Sequence, residues 1–343
     1  MPVLSFSTYS APRGFRNGHL QTVFPAVFRR TPWITRQRVR ITTPDGDFLD
    51  LDQARSPGSR RTAVLSHGLE GASGNAYVQG MALALLRRGW NIVAWNFRGC
   101  SGEPNRVLRS YHSGATEDLS AVVDHVLAAG AVNQLALVGF SLGGNLTLKY
   151  LGESPRDPRI TRAAVFSVPC DLASSSRKLE SFTNRIYMAR FLQGLRKKIR
   201  EKMVQFPGQI DGTGLERMRT FREFDGAYTA PLNGFRSAED YWERASSRPV
   251  LGGIRTPTLL VNASDDPFLA PECYPVDAAE NHPHLFLEMP DHGGHIGFVT
   301  LRGGGEYWSE WRAAAFLETP DATAFFSVAE CPPGDHLREK TTP

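Results

Sequence analysis

A glycine–serine–glycine motif is the strongest chemical signal in this 343-residue sequence. Gly139-Phe-Ser-Leu-Gly143 directly follows an apolar run that predicts a buried strand, and the residues after it predict a helix. This strand–turn–helix context is the one that a G-x-S-x-G nucleophile turn requires. Side chains at the two glycine positions would collide with neighbouring backbone, and the helix N-terminus directs free N–H groups toward the turn. Ser141 is therefore predicted to be a nucleophile, rather than an incidental serine in a glycine-rich turn.

A serine hydroxyl needs a base at neutral pH, and the base must be oriented by a third group. Where a serine nucleophile lies in such a turn, its partners follow in the order acid, then histidine. The loop Asp291-His-Gly-Gly-His295 comes after the last predicted strand and supplies two histidines. Because the paired glycines allow a tight loop, His295 is predicted to be the base. His292 is predicted to be a structural or rim residue.

The acid is expected after the penultimate strand, where Asn262-Ala-Ser-Asp-Asp-Pro267 supplies two aspartates. Asp266 precedes a proline and begins a turn that resembles the acid turn of the α/β-hydrolase fold, so we choose it over Asp265. The other aspartate then becomes a turn residue that bonds its own backbone. Asp171, which follows the preceding strand, is a more remote candidate.

Backbone N–H groups must stabilise the negative oxygen of the tetrahedral intermediate, and each is worth about 3 kcal/mol of the barrier. The N–H of Leu142, next to the serine, is one predicted donor. The second is the N–H of Leu69 in His67-Gly-Leu-Glu-Gly71, because Gly68 lets the backbone turn there. The ring of His67 is expected to support this loop.

Apolar strands alternate with amphipathic helices along most of the chain, which predicts an α/β protein with a mostly parallel sheet flanked by helices. With the serine turn, this pattern indicates an α/β-hydrolase fold whose core comprises residues 1–172 and 248–325. The alternation stops in residues 173–247, which are basic and helix-prone. A helical insert between two strands predicts a lid over the edge where strands end. Residues 326–343 are polar and are expected to form a flexible tail.

The insert concentrates positive charge. From Arg177 to Arg222 there are twelve Lys and Arg residues against four Asp and Glu, an excess of eight, although the whole chain has a net charge of only +4. Apolar residues at helical spacing accompany these cations. The pattern fits a solvated helical surface, or else a face attracted to anionic lipid or an acidic substrate. The second interpretation gives the hypothesis that the stretch from Arg190 to Lys202 contacts an anionic membrane.

Other function classes find little support. The composition, 41% apolar and 22% charged, is that of an ordinary globular protein. No run of 18 apolar residues predicts a membrane span, and the N-terminus does not resemble a signal peptide. We expect no nucleic-acid partner, no metal and no cofactor, because the corresponding patterns are missing. The four cysteines, Cys100, Cys170, Cys273 and Cys331, are widely spaced in the sequence. This spacing favours reduced thiols over disulfides, and we therefore expect a cytoplasmic location.

Seven sequence blocks between about residues 13 and 300 resemble the YheT-like α/β-hydrolases, a group of predicted esterases related to eukaryotic α/β-hydrolase-domain lipases. The blocks are Asn17-Gly-His-Leu-Gln-Thr22, His67-Gly-Leu-Glu-Gly71, Asn96-Phe-Arg-Gly-Cys-Ser-Gly-Glu-Pro-Asn105, Tyr111-His-Ser-Gly-Ala-Thr-Glu-Asp118, Gly139-Phe-Ser-Leu-Gly-Gly-Asn145, Phe224-Asp-Gly-Ala-Tyr-Thr-Ala-Pro231 and His292-Gly-Gly-His-Ile-Gly-Phe298. The resemblance implies a Ser–Asp–His site at Ser141, Asp266 and His295, ester substrates that are short-chain or lipid-like, and no cofactor.

The sequence thus predicts a serine hydrolase that cleaves carboxylic esters, with short-to-medium or lipid-like acyl groups, through an acyl-enzyme. An alcohol O-acyltransferase would use the same residues with an alcohol in place of water. A non-catalytic ligand-binding member of the fold is a third alternative, and the presence of all three triad residue types argues against it. Arg98 and Cys100, after the strand ending at Trp95, are expected to be loop scaffolding. No oligomeric state is predicted.

Overall fold

The protein is described here by a computed structural model. The description covers residues 3–4, 6–32, 34–130, 132–301 and 304–322. The tail predicted at 326–343, and Cys331 with it, lie outside the described residues.

One sheet organises the described part of the chain. Its eight strands are β1 (Gln37–Thr42), β2 (Phe48–Ala54), β3 (Arg61–Ser66), β4 (Asn91–Asn96), β5 (Gln134–Phe140), β6 (Ile160–Phe166), β7 (Thr258–Val261) and β8 (Leu285–Glu288). Their spatial order is β1-β2-β4-β3-β5-β6-β7-β8. The strand β2 is antiparallel to both of its neighbours, and all other neighbouring pairs are parallel. The predicted mostly parallel sheet is confirmed.

Helices connect and cover these strands. Within the described residues the α-helices are α1 (Gly18–Phe28), α2 (Ala76–Arg87), α3 (Thr116–Ala128), α4 (Leu142–Glu153), α5 (Leu172–Leu179), α6 (Arg185–Gln205), α7 (Phe221–Phe224), α8 (Ala230–Leu232), α9 (Ala238–Ala245), α10 (Val276–Glu280) and α11 (Trp308–Glu318). Short 3₁₀ helices occupy Phe182–Asn184, Leu215–Arg217, Arg248–Gly253 and Pro271–Cys273, and a π-helix occupies Asp225–Thr229.

The central strands are buried on both faces of the sheet. Val64 and Leu137 pack into one apolar cluster, with residues of α3 and α4. Leu65 and Val138, one position later, pack into a second cluster with residues of α2 and α11. Successive strand residues point to opposite faces, so burial on both sides requires the uninterrupted apolar runs that the sequence contains. The predicted α/β fold with helices on both faces is confirmed.

The chain between β6 and β7 contains helices α5 to α9 and no strand. These helices have an apolar cluster of their own, which includes Leu192, Phe224 and Trp242 and is completed by Phe268 from the loop after β7. The insert is therefore packed both on itself and on a loop at the carboxyl edge of the sheet. Its assignment as a lid over residues 173–247 stays a prediction.

Several properties of the described residues bear on location and cofactors. Cys100, Cys170 and Cys273 are free thiols, and the cytoplasmic location stays a prediction. Across the described ranges, no helix combines the length and hydropathy needed to cross a bilayer. Nor do the same ranges contain three or more His, Cys, Asp or Glu side chains grouped so that they could hold a metal ion.

Candidate active site

Ser141 occupies a sharp turn between β5 and α4. Its backbone angles, φ 51° and ψ −119°, lie in a region that side-chain-bearing residues rarely adopt. Two backbone hydrogen bonds fix the turn, because the Ser141 N–H donates to the carbonyl oxygen of Phe166 at 2.9 Å and Asn145 N–H donates to the Ser141 carbonyl at 3.0 Å. Strain of this kind persists only where the surroundings over-determine the conformation, and it concentrates at functional sites.

The glycines on either side of Ser141 are required by close backbone contacts. A Cβ atom on Gly143 would lie 2.4 Å from the carbonyl oxygens of both Ser66 and His67, and one on Gly139 would lie 2.5 Å from the Gly143 carbonyl oxygen. No side chain fits in this space. The first turn of α4 can therefore approach the end of β3, which brings the loop after β3 beside Ser141.

The structure brings His295 and Asp266 to Ser141. The Nε2 atom of His295 lies 2.9 Å from the Ser141 Oγ, and its Nδ1 lies 2.9 Å from Asp266 Oδ2 and 3.2 Å from Oδ1. With the ring proton on Nδ1, His295 donates to the carboxylate and leaves Nε2 to accept the serine proton. Asp266 is buried and also accepts the Phe268 N–H at 2.9 Å, and the Phe268 ring lies against the imidazole with centroids 4.2 Å apart.

The neighbouring aspartate and histidine form a second, separate pair. Asp265 Oδ2 lies 3.3 Å from His292 Nδ1, and Asp265 Oδ1 accepts the Gly294 N–H at 2.8 Å. Burial raises the pKa of Asp265, although these two bonds oppose that effect. This pair holds the histidine loop and has no contact with Ser141 among the described residues. Asp171 is a helix cap, because its side chain accepts the Ser174 N–H at the start of α5.

Helix α1 supports the histidine loop from behind. Thr22 Oγ1 accepts the His295 N–H at 2.9 Å and donates to the Gly18 carbonyl at 2.7 Å. A Cβ on Gly294 would lie 2.4 Å from that same carbonyl oxygen, so the loop requires glycine where α1 approaches. The catalytic motifs in the sequence did not predict a role for these positions. The signal that could have found them is the Asn17–Thr22 block, which matched the family without an assigned role.

The loop after β3 also meets Ser141. A Cβ on Gly68 would lie 3.3 Å from the Ser141 Cβ, and the Gly68 N–H donates to the Tyr77 hydroxyl at 2.9 Å. The amide of Leu142 is the first in α4, where no carbonyl inside the helix is available to it. Within the described residues, neither this amide nor that of Leu69 donates to a protein acceptor. Both predicted donors thus flank the serine with their N–H groups unused.

Buried side chains hold this loop in place. His67 is fully buried, and burial lowers its pKa to about 3, so the ring is neutral. Its Nδ1 donates to the Gly68 carbonyl at 2.8 Å and its Nε2 accepts the Phe97 N–H at 3.1 Å. The Tyr111 hydroxyl accepts the Glu70 N–H at 3.2 Å and donates to the Glu70 carboxylate at 2.6 Å. The backbone on both sides of Leu69 is therefore fixed.

Comparison with known proteins identifies the family of the chain. The family model described as alpha/beta hydrolase fold matches residues 64–300. YheT of Escherichia coli (strain K12), which is named as a candidate esterase, is 37% identical over 90% of this chain and 92% of its own length. The chain belongs to the YheT-like α/β-hydrolase family. The phospholipase ABHD3 of Mus musculus is 33% identical to this hydrolase over 81% of the chain and 70% of its own length.

Solved structures confirm the fold of the hydrolase. The esterase Pf2001 of Pyrococcus furiosus matches it with a TM-score of 0.56 and 18% identity, over 84% of this chain and 97% of that one. At this level of identity the likeness concerns the fold.

The long helix α6 of the hydrolase contacts the loop after β3. Lys198 Nζ donates to Glu70 Oε1 at 2.8 Å and lies 3.0 Å from the Cys100 Sγ. Gly194, one turn earlier, faces the same glutamate, and a Cβ there would lie 2.3 Å from Glu70 Oε2. Burial raises the pKa of the Cys100 thiol, which keeps it protonated and unsuited to nucleophilic attack. The insert is thus bonded to the residue that follows Leu69.

Other cations of the basic stretch are also engaged inside the fold. Arg196 donates to the carbonyls of Leu215 and Met218, and the buried Lys202 donates to the Val107 carbonyl at 2.7 Å. Burial lowers the pKa of Lys202 to about 8. Two more pair with acids on the insert, Lys197 with Glu201 and Arg200 with Glu216, and Arg190 is the one cation of the stretch for which the described residues show neither an ion pair nor a side-chain hydrogen bond. The stretch presents fewer free cations than its sequence suggests.

Arg98 is a scaffold residue in the described structure. Its guanidinium is buried, and its Nε and Nη2 donate to the two carboxylate oxygens of Asp118 at 2.8 and 2.7 Å. Nη1 donates to Asp45 at 2.7 Å and to Asp47 at 2.9 Å. Three carboxylates from different segments are therefore joined through one arginine, which fixes the loop after β4.

A cavity of about 100 Å³ opens beside Ser141 and His295. Its wall is mostly apolar and is supplied largely by the insert, including Leu179, Phe191, Leu195, Phe221 and Trp242. Phe268, which contacts the His295 ring, lines the side of the cavity next to that ring. A mostly apolar pocket of this kind suits an acyl chain better than a charged group.

Proposed function

We propose that this hydrolase cleaves carboxylic esters by two-step acyl transfer, with Ser141 as nucleophile, His295 as general base and Asp266 as the orienting acid. The observation that carries the proposal is the continuous hydrogen-bonded chain from Ser141 Oγ through His295 to a buried carboxylate, with both ring contacts at 2.9 Å. The unused amides of Leu69 and Leu142 support the role of oxyanion donors.

In the first step, Ser141 Oγ attacks the ester carbonyl while His295 Nε2 takes the hydroxyl proton. Asp266 holds the imidazole in the productive orientation and stabilises the imidazolium that forms. The N–H groups of Leu69 and Leu142 donate to the oxyanion, and His295 then protonates the departing alcohol oxygen. The acyl group remains on Ser141.

In the second step, water takes the place of the alcohol. His295 accepts a proton from the water as its oxygen attacks the acyl carbonyl, and the same two amides stabilise the second oxyanion. Collapse of this intermediate returns the proton to Ser141 and releases the carboxylic acid. An alcohol in place of water would give acyl transfer with the same residues.

The chain is a carboxylic ester hydrolase, in keeping with relatives named esterase and phospholipase. The apolar cavity supports an acyl group of short to medium length, or a lipid-like one, as the part of the substrate it holds.

A series of p-nitrophenyl esters from acetate to palmitate tests this proposal. We expect kcat/KM to rise with chain length until the cavity is filled, and a flat profile would contradict an acyl-binding role for the cavity. Repeating the assay with added alcohol, and analysing products, separates hydrolysis from acyl transfer.

We further propose that residues 173–247 act as a lid and that its exposed beginning contacts anionic lipid. Phe182 and Ile186 are 78% and 83% exposed, and the C-terminal end of α1 exposes Val27 and Phe28 by about two thirds. The His19 ring stacks on Tyr187, which brings the two helices together. Exposed apolar side chains next to basic ones are typical of surfaces that lie on a membrane. The free cations here are Arg177, Lys178, Arg185 and Arg190, which have no carboxylate within 4.0 Å among the described residues.

A further inference from the structure

The apolar cavity contains a buried carboxylate that the proposed reaction does not use. Asp225 borders the cavity beside Ser141 and is only 8% exposed. Its Oδ1 accepts the Thr229 hydroxyl at 2.6 Å, and its Oδ2 accepts the Trp242 Nε1–H at 2.8 Å. Among the described residues, no Lys, Arg or His forms an ion pair with it. Burying a carboxylate without a cation is unfavourable, so its retention in an apolar wall calls for a reason.

Asp225 has hydrogen-bonding capacity left over. A carboxylate offers about four acceptor positions, and the protein fills two of them. Burial is the main influence on this group and raises its pKa to about 6, while the bonds from Thr229 and Trp242 oppose the change. A donor supplied by a bound molecule would stabilise the carboxylate further.

Ser176 is a second unsatisfied polar group in the same cavity wall. Its residue is 3% exposed, and its hydroxyl is buried without a hydrogen-bond partner in the described structure. Helix α9, which carries Trp242, packs against both α5 and the π-helix, so Ser176 and Asp225 lie on elements joined by one helix. A buried hydroxyl without a partner is destabilising by about 1–3 kcal/mol unless a ligand satisfies it.

The backbone at Asp225 is also unusual. The π-helix Asp225–Thr229 lies between the short α-helices α7 and α8, and π-turns of this kind are frequent at functional sites. Asp225 belongs to the Phe224–Pro231 block, which matched the family although the catalytic residues lie elsewhere. A purely structural role, in which Asp225 only accepts the hydrogen bond from Trp242, explains neither the position of Asp225 at the cavity wall nor the unpaired hydroxyl of Ser176.

We propose that Asp225 is a substrate-binding residue, which accepts a hydrogen bond from a hydroxyl group carried by the ester, with Ser176 as the second contact to that hydroxyl. A hydroxyl suits the pair because it can donate to the carboxylate and accept from the serine, whereas an ammonium group has no acceptor. The hydroxyl belongs either to the acyl chain or to the alcohol part of the ester. The inference rests on the proposed function, since it assigns the substrate of that same site.

Two matched pairs of esters test the proposal. In the first, p-nitrophenyl 8-hydroxyoctanoate is compared with p-nitrophenyl octanoate, which places the hydroxyl on the acyl chain. In the second, 3-hydroxypropyl octanoate is compared with propyl octanoate, which places it on the alcohol. We expect the wild-type protein to favour the hydroxylated member of one pair by about tenfold or more in kcat/KM, as a hydrogen bond to a buried charged group permits.

The variants Asp225→Leu, Asp225→Asn and Ser176→Ala identify the residues responsible. We expect Asp225→Leu to abolish or reverse the preference, and the other two to reduce it, whereas the exposed Asp211→Asn should leave it unchanged. The preference is a ratio measured on one preparation, so partial misfolding of a variant cancels out of it. A wild-type ratio near one for both pairs, or a preference that survives Asp225→Leu, would overturn the proposal. Failure of the wild-type protein to hydrolyse any of the four esters would instead overturn the proposed function.

Discussion

The carboxyl edge of the sheet and the helical insert face the same cavity, but their polar residues are held in different ways. At the edge, Ser141, Asp266 and His295 lie in loops that follow buried strands. Backbone hydrogen bonds fix Ser141 and Asp266, and the Thr22 hydroxyl holds the His295 N–H. In the insert, Lys198 and Lys202 are fixed by partners 128 and 95 residues away in the chain, the Glu70 carboxylate and the Val107 carbonyl. The ends of buried strands therefore place the edge residues, whereas hydrogen bonds to loops elsewhere in the fold place the cations of the insert.

This difference shows that the number of cationic residues in a stretch of sequence does not give the number of free cations on the protein surface. The basic stretch from Arg190 to Lys202 has most of its cations bonded to carbonyls or carboxylates of the protein itself. The free cations lie before this stretch or at its first residue, around Arg185, where apolar side chains are exposed. The proposed membrane contact accordingly moves toward the start of the insert.

The two histidines of the edge loop give the largest expected contrast. Replacing His295 by alanine removes the proposed base, and losing a triad base lowers kcat on the order of 10⁶-fold. Replacing His292 by alanine removes only the contact to Asp265, so we expect a change of less than about tenfold. Steady-state hydrolysis of p-nitrophenyl butyrate measures both. Equal losses of kcat in the two variants would contradict the assignment of His295 as the base and of His292 as a supporting residue.

The two aspartates provide the next contrast. Asp266→Asn leaves the shape of the site intact but removes the carboxylate that orients His295, a change that lowers kcat by about 10⁴-fold in a triad. Asp265→Asn weakens the support of the histidine loop and should have a far smaller effect. Circular dichroism checks that both variants are folded. If Asp265→Asn is the more damaging substitution, the acid has been assigned to the wrong residue.

The turn at Ser141 and the buried strands could be predicted from the sequence for a physical reason. The turn at Ser141 requires glycines within two residues, and a run of apolar residues predicts a buried strand. Both signals lie within a few residues of the feature that they predict. The support from Thr22 was not predictable in this way, because it acts on His295 from 273 positions away. Nor could the sequence separate Lys198 from its neighbour Lys197, which is 74% exposed, although one contacts Glu70 and the other points outward.

Lys198 offers a test of how the insert acts on the edge. Lys198→Met removes the cation that holds Glu70, next to the proposed donor Leu69. Losing one oxyanion donor lowers kcat about 10²- to 10³-fold, so a displaced donor should lower it about ten- to a hundredfold with little change in KM. Lys197→Met is the matched control and should be neutral. A change in KM alone would indicate that Lys198 shapes the pocket and does not position the loop.

The smallest expected effect concerns the membrane. Each basic residue near an anionic bilayer contributes about 1 kcal/mol, so Arg185→Gln should weaken binding to phosphatidylserine vesicles about fivefold. Raising salt from 20 to 300 mM should weaken binding of the wild-type protein as well, and hydrolysis of a soluble ester should stay unchanged. Arg200→Gln is the control, because Arg200 pairs with Glu216. If Arg200→Gln weakens vesicle binding more than Arg185→Gln does, the membrane contact lies in the later part of the insert and our placement is wrong.

Covalent labelling tests the central claim most directly, namely that Ser141 is a nucleophile activated by His295. The wild-type protein is treated with a fluorophosphonate, the modified residue is located by mass spectrometry, and residual hydrolysis of p-nitrophenyl butyrate is followed in parallel. We predict one adduct per chain on Ser141, loss of hydrolysis in step with labelling, and neither labelling nor turnover in Ser141→Ala. An adduct on a different residue, or hydrolysis that persists in Ser141→Ala, would contradict the account.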